Sequence, residues 1–228
     1  MPRPEDGTGD PAADAAAGPP DADGGSDGGV QALTERTAPR DPFVQFGAWF
    51  EDAARSVRAP EAVAVATASA SGAPSVRMVL MKGWDERGLV FHTNYGSRKG
   101  RELAENPRAA LLFHWDPLGR QVRVEGEVER IAEAESDAHF ETRQRGARVG
   151  ARASWQSRPI ASREELDRRV REVAERYDGR DVPRPSWWGG YRVRPDSFEF
   201  WQRREDRLHD RIRYERTGGA WRIERLQP

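Results

Sequence analysis

Apolar and polar positions follow two rhythms along the chain, one helical and one period-two. After Asp41-Pro42, the residues Phe43, Phe46, Trp49 and Phe50 recur at helical spacing. With Asp as N-cap and Pro at the first helical position, they predict a helix from about 42 to 56. From Ala62 the rhythm becomes that of strands. Ala62–Ala70 and Ser75–Trp84 flank a Ser71-Gly72 turn, and Leu89–Asn94 follows a turn at Asp85–Gly88. A short helix over Ser97–Glu105 ends before Asn106-Pro107. Ala109–Trp115 and Gln121–Ile131 then make a hairpin around Pro117-Leu118-Gly119. In its second strand Val122, Val124 and Val128 alternate with charged residues, one face buried and one wet.

Helical signals return weakly over 133–144 and strongly over 162–177. There Ser162 and Glu165 form a capping box, and Leu166, Val170, Val173 and Tyr177 share a face best read as core packing. Beyond Pro183 and Pro185, strands are predicted at about 189–194, 197–203, 207–215 and Trp221–Leu226. Strands without regular βαβ alternation indicate a mostly β fold, an antiparallel barrel with peripheral helices.

Composition changes the picture at the N-terminus. Residues 1–40 hold no Phe, Trp or Tyr, seven Gly and six Pro, and bury too little apolar surface to offset chain entropy. They are expected to be a disordered acidic tail, with 41–228 as the folded domain. The tail's eight acidic and three basic residues leave 30 acidic and 34 basic in the remainder, an excess suited to a small anion such as a phosphate rather than to nucleic acid. The absence of cysteine excludes disulfides, thiolate metal sites and a cysteine nucleophile. With no long apolar run and no secretory signal, the expectation is a cytoplasmic protein without membrane or metal partners. Of 37 basic residues only Lys82 and Lys99 are lysines, which directs attention to both.

Three segments carry candidate chemistry. In Arg77-Met78-Val79-Leu80-Met81-Lys82, alternation puts a cation on each strand face, either as strand-end charges reaching water or as ligand contacts. Phe91–Lys99 offers His92, Thr93, a Gly turn and adjacent Arg98 and Lys99 at a helix start, a plausible phosphate cradle. At Glu199–Arg211, Trp201 is followed by Arg207, His209 and Arg211 at strand spacing. Three such groups on one face call for an anion, or for acidic partners such as Asp206 and Asp210. The four His lack metal-ligand spacing, and no P-loop, dinucleotide fingerprint or nucleophile elbow occurs.

In order, RMVLMK at 77–82, FHTNYGSRKG at 91–100, RQVRVEGEVER at 120–130, WQSRPIASREEL at 155–166, PSWWGGYRV at 185–193 and EFWQRREDRLHDRIRY at 199–214 resemble the pyridoxamine 5′-phosphate oxidase family. The resemblance spans about 41–228. It implies an FMN-binding split β-barrel, a homodimer with flavins at the subunit interface. It further implies oxidation of pyridoxamine or pyridoxine 5′-phosphate to pyridoxal 5′-phosphate, with hydride passing to the flavin and O₂ yielding hydrogen peroxide. Carried over by position, the FMN contacts are Arg77, Met78, Val79, Leu80, Met81, Lys82, His92, Thr93, Arg98, Lys99, Gln121, Gln156, Ser157, Trp201 and Arg211. Substrate contacts are Lys82, His139, Arg143, Arg207, Leu208 and His209, with Arg207 and His209 at the catalytic positions. The family grips the substrate phosphate with Lys, Tyr, Arg and Ser, which here are Lys82, His139, Arg143 and Ala147. The family's N-terminal lid has no clear counterpart in 31–40. Two rivals remain at this point: a related flavin oxidase acting on a phenazine-type substrate, and a flavin-binding module without turnover.

Overall fold

The computed structural model describes residues 32–228. The first helix, α1 (Pro42–Ser56), starts where the Asp41 carboxylate accepts from the Phe43 amide and Pro42 occupies the first turn. Three antiparallel strands follow, β1 (Ala62–Ala68), β2 (Pro74–Asp85) and β3 (Gly88–Asn94). After α2 (Arg98–Glu105) come β4 (Arg108–Trp115) and β5 (Arg120–Arg130), then α3 (Glu133–Glu141), α4 (Arg145–Ala153) and α5 (Arg163–Arg176). The chain ends on β6 (Trp188–Gln202), β7 (Asp210–Thr217) and β8 (Ala220–Arg225).

All eight strands form one sheet in the order β3-β2-β1-β4-β5-β6-β7-β8, and a further β3–β6 pairing closes the first six into an antiparallel barrel. Closure depends on β6. Its first half, Trp188–Val193, pairs with β3, and its second half, Ser197–Gln202, pairs with β7. Opposite Glu125/Gly126 of β5 the register shifts, with Asp196 as an extra residue that bulges β6, and a Cβ on Gly126 would lie 1.9 Å from the Arg194 carbonyl oxygen. α1 feeds the core: Phe46 is fully buried, 5.2 Å from Trp84 of β2 and from Phe113 of β4, and 6.5 Å from Phe198 of β6. Rings from three strands and a helix thus share one cluster, edge-on or tilted as aromatic quadrupoles favour.

The expected mostly β barrel with peripheral helices is present, and four details differ. Strands expected at 189–194 and 197–203 are one continuous strand, because Pro195 sits at a bulge where its missing N–H costs no ladder bond. The weak helix expected at 133–144 ends at Glu141, and a further helix, α4 over Arg145–Ala153, follows where none was expected. The apolar stripe of α5 packs on α4 outside the barrel and contains no fully buried residue. The tail boundary at 40 is late: Leu33 is buried in the core, Arg225 donates to the Leu33 carbonyl and pairs with Glu35, and the Tyr214 hydroxyl donates to the Pro39 carbonyl. Leu33 and Ala38 packed on the core, with backbone acceptors and the Glu35–Arg225 pair, hold that segment. The rest of the expected tail, residues 1–31, lies outside the described residues. Among the described residues no helix is long and apolar enough to cross a membrane.

Candidate active site

A cavity of about 350 Å³ opens between β2, β3 and the helices α2, α3 and α4. β2 supplies Met78, Val79, Leu80 and, at the register shift between Met81 and Gly83, Lys82. β3 supplies His92 and Thr93. Lys99 comes from the first turn of α2, which Ser97 caps by accepting from the Gly100 amide at 3.2 Å. Lys99 is 5% exposed, and its Nζ donates to Thr93 Oγ1 at 3.0 Å and Gln156 Oε1 at 3.2 Å. Burial, reinforced by the charge of Arg77, pushes its ammonium down to about 8.

Behind Lys99 lies a buried carboxylate. Glu102 of α2 accepts from Thr67 Oγ1 and Ser75 Oγ at 2.5 Å, from Arg98 Nε at 2.8 Å and from Arg77 at 3.4 Å. Desolvation opposes its ionisation, yet the hydroxyls of Ser75 and Thr67 and the Arg98 and Arg77 guanidiniums hold its carboxyl down at about 2. Arg77 also donates to the Val65 carbonyl at 3.1 Å and to Thr67 Oγ1 at 2.6 Å. Two cations, Arg77 and Arg98, thus gather about one carboxylate, and Lys99 adds a third positive charge from the first turn of the same helix. The surplus positive charge at a helix start fits a phosphate.

The opposite wall is a stack of rings. His92 and His139 lie 3.9 Å apart at 20°, and His92 lies 5.2 Å from Trp188 at 17°. Arg143 rests over the Trp188 ring at 4.7 Å. Both His92 nitrogens and one Arg143 Nη are buried without a hydrogen-bond partner within the protein. Such groups are costly unless something in the cavity meets them. Burial, with His139, Arg143 and Lys82 nearby, drives the His92 imidazole down to about 3. His139 is lowered by burial and by Lys82 and Arg143. The approach of β6 requires Gly190, where a Cβ would stand 2.4 Å from Ile131 and 3.0 Å from His92 Nε2.

Of the residues singled out from the sequence, Met78, Val79, Leu80, Lys82, His92, Thr93, Lys99, Gln156, His139 and Arg143 meet at this cavity. Arg77 and Arg98 adjoin it through Glu102 and Lys99. Met81 is 4% exposed and belongs to the barrel core, so its side chain is not at the cavity. Ser157 lines a separate depression with Trp155 and Arg158. Ala147 is exposed on α4 and not among the cavity's walls.

A second group forms elsewhere. Gln121, Trp201 and Arg211 sit opposite one another across β5, β6 and β7, on the outer face of the sheet. His209 packs its ring 4.4 Å from Trp201 and accepts from the Arg204 amide through Nδ1. Arg207, His209 and Arg211 do not share a strand face as expected. β7 begins only at Asp210, and Arg207 lies in a turn with φ 59 beside Asp206 with φ 53. Among the described residues the only other non-glycine residue with positive φ is Ser157. Backbone strain therefore coincides with two candidate site residues. Arg211 is paired with Glu199 at 2.8 Å, and Asp210 with Arg204 and Arg225. Leu208 is 68% exposed. Trp188 at the cavity and Trp201 in this group are separated by roughly 40 Å of strand contour at ~3.3 Å per residue.

Sequence reasoning missed Glu102, Ser75, Thr67 and Trp188. Only Glu102 left a trace, standing four residues after Arg98 on a helix. Among the described residues no group of three His, Asp or Glu could hold a metal ion.

Comparison with known proteins gives consistent matches. The family model described as pyridoxamine 5′-phosphate oxidase matches residues 50–177, and that of the pyridoxine 5′-phosphate oxidase C-terminal dimerisation region matches 188–228. The chain is 59% identical over 197 residues to a pyridoxine/pyridoxamine 5′-phosphate oxidase of Rubrobacter xylanophilus, covering 86% of this chain and 91% of the relative. It is 54% identical over 198 residues to the like-named protein of Bordetella pertussis, covering 86% and 93%. Among solved structures it is similar to PhzG from Burkholderia lata 383, in complex with tetrahydrophenazine-1-carboxylic acid. That match has a TM-score of 0.82 and 36% identity, over 88% of this chain and 100% of the other. A pyridoxamine 5′-phosphate oxidase-related, FMN-binding protein from Nostoc punctiforme shares the fold at TM-score 0.67 and 17% identity, over 84% and 100%.

Proposed function

The chain belongs to the pyridoxamine 5′-phosphate oxidase family, and from that premise we propose that its two clusters are the halves of one flavin site, each site completed by a partner subunit. The protein is an FMN-dependent oxidase that converts pyridoxamine or pyridoxine 5′-phosphate to pyridoxal 5′-phosphate. The observation that carries the site assignment is the cavity itself, where Lys82, Lys99 and Arg143 converge with buried donors that nothing in the chain satisfies.

Lys99, Arg98 and Arg77 hold the FMN phosphate, with Glu102 fixing the two guanidiniums and Gln156 and Thr93 steering the lysine. Bound FMN supplies the hydride acceptor, and O₂ then takes up the electrons. Lys82, His139 and Arg143 bind the substrate phosphate. Arg207 and His209 of the partner subunit would orient the substrate ring and exclude water from it. The His209 imidazole, lowered by burial and by Arg207 and Arg203, is neutral near pH 7 and able to accept a proton from the substrate amine or alcohol.

The outer sheet face supports the dimer. Val76, Met78, Leu80 and Leu112 are exposed there, 68%, 63%, 45% and 39%, and the strand register continues the same face to Gln121, Trp201 and Arg211. Met78 and Leu80 also border the cavity, so a second copy covering this face closes the cavity as well. In a two-fold interface, the Trp201 end of one subunit lies against the cavity end of the other.

The test is anaerobic mixing of FMN-loaded protein with pyridoxamine 5′-phosphate. Bleaching of the visible flavin band at a rate that accounts for turnover is expected. A flavin that stays oxidised with this substrate, yet is reduced by a dihydrophenazine carboxylate, would replace the reading with that of the PhzG-like relative.

A further inference from the structure

In the proposed site His139 faces the substrate phosphate, and its imidazole is stacked on that of His92. Their surroundings on every side are informative. From β2 comes Lys82; from α2, Lys99; from the segment after α3, Arg143. Behind the pair lies a smaller hollow bordered by Asp85, Arg87, Glu135 and Arg192. Both carboxylates there are already engaged: Arg192 binds Asp85 at 2.7 Å and Glu135 at 3.1 Å, and Arg87 binds Asp85 at 2.6 Å. Neither carboxylate is left to balance a charge on the imidazoles, which face only cations across the cavity.

Burial lowers both imidazoles, and two rings 3.9 Å apart beside Lys82 and Arg143 repel a proton further, so near neutral pH both are neutral in the free site. A phosphate monoester at neutral pH carries close to two negative charges. Burial is the main cause that keeps His139 neutral and Lys82 and Arg143 add to it; a phosphate placed against those two cations cancels their repulsion and adds an attraction for a proton that opposes the burial. The two histidines are not equivalent in this respect. Both rings border the cavity, but His92 is the more deeply buried and both its nitrogens are enclosed. A charged His139 would lie face to face with neutral His92, with Trp188 parallel at 6.2 Å, an arrangement that favours a cation over an aromatic face.

We infer that binding of the phosphorylated substrate is coupled to uptake of one proton from solvent by His139, with His92 as its neutral stacking partner. The inference rests on the reading of this cavity as the substrate-phosphate site. It makes His139 a specificity device, since a dianionic ester recruits the proton and an uncharged analogue of the same ring does not. Coupling also sets a sign. Wherever a proton is taken up on binding, affinity falls as pH rises, by at most about tenfold per pH unit for one proton.

The experiment is calorimetric titration of the FMN-loaded protein with 4′-deoxypyridoxine 5′-phosphate, which lacks the oxidisable hydroxyl. Measurements are made at about pH 7.5 in two buffers of unlike ionisation enthalpy and repeated up to about pH 8.5. The wild type should take up between about half and one proton, and its affinity should fall several-fold per pH unit. His139→Gln should abolish the uptake and flatten the pH dependence, while His92→Phe, which keeps the ring stack, should retain both. Binding by the wild type without proton uptake, or uptake that persists in His139→Gln, would overturn the coupling and leave the oxidase reading standing. Failure of the FMN-loaded wild type to bind the ester at all would overturn both.

Discussion

Replacing Lys99 with Met should make the flavin-free protein more stable and the flavin complex weaker. The Lys99 ammonium falls from its ordinary 10.5 to about 8 in the folded chain, a penalty of about 3 kcal/mol for holding the charge at pH 7. Met fills similar volume without charge. The substitution forfeits two hydrogen bonds, to Thr93 and Gln156, of about 1 kcal/mol each, but those two side chains remain bonded to each other at 2.9 Å. The net gain is about 1–2 kcal/mol, which raises Tm by roughly 2–8 °C in a chain of this size. Between pH 8 and 10.5 the unfolded chain still holds the Lys99 proton while the folded chain has released it. Wild-type stability therefore rises through that window, and the advantage of the variant shrinks. With FMN the order reverses, because a lost charge-assisted bond to phosphate of about 1.5–3 kcal/mol weakens binding roughly 10- to 150-fold. Thermal melts of the apoprotein and fluorescence titration with FMN read the two effects separately. An apo variant that melts below wild type while binding FMN unchanged would refute the argument.

Glu102→Gln should lower stability at neutral pH. Because the folded carboxyl titrates near 2, well below its unfolded value, the deficit should disappear as acid melts pass from about pH 4.5 down to 2, and FMN affinity should drop as Arg77 and Arg98 lose their anchor. A protein beginning at residue 32 should melt like the full chain. One beginning at residue 40 should lose about 2–4 kcal/mol through Leu33 and the contacts of Arg225 with Leu33 and Glu35, measured by urea unfolding. Co-expressing Lys82→Ala with Arg207→Ala, each inactive alone, should restore about a quarter of wild-type turnover, because half of randomly assorted dimers carry one intact site out of two. No recovery at all would place both residues in a site built from a single chain.

Much of the barrel was legible because its signals are local. Asp41-Pro42 starts α1 where expected, Ser162 with Glu165 starts α5, and alternation in Val122–Val128 fixes the buried face of β5. What failed depended on partners distant in sequence. Pro195 resembles a strand break until β6 is seen to bulge there, with Asp196 as the extra residue, and Leu33 resembles part of a tail until the Arg225 guanidinium is found holding its carbonyl. The site followed the same division. Arg98-Lys99 at a helix start could be read as a phosphate cradle, but Glu102 acquires its role only through Ser75 and Thr67, which arrive from β2 and β1. The ring stack could not be foreseen, because His92, His139 and Trp188 come from three elements spread over about a hundred residues.

The closing strand also dictates an order of events during synthesis. β3 pairs with β2 as soon as the meander emerges, yet its other edge has no partner until Trp188–Val193 leaves the ribosome. For the time needed to make the intervening hundred or so residues, at ~5–20 residues per second, the nascent chain carries an unprotected β edge and an incomplete core. Closure is a long-range step and correspondingly slow. Variants that weaken β6, even at positions remote from the cavity, would then lower yield before they lower activity, with the loss appearing as aggregated chain rather than as a slower enzyme.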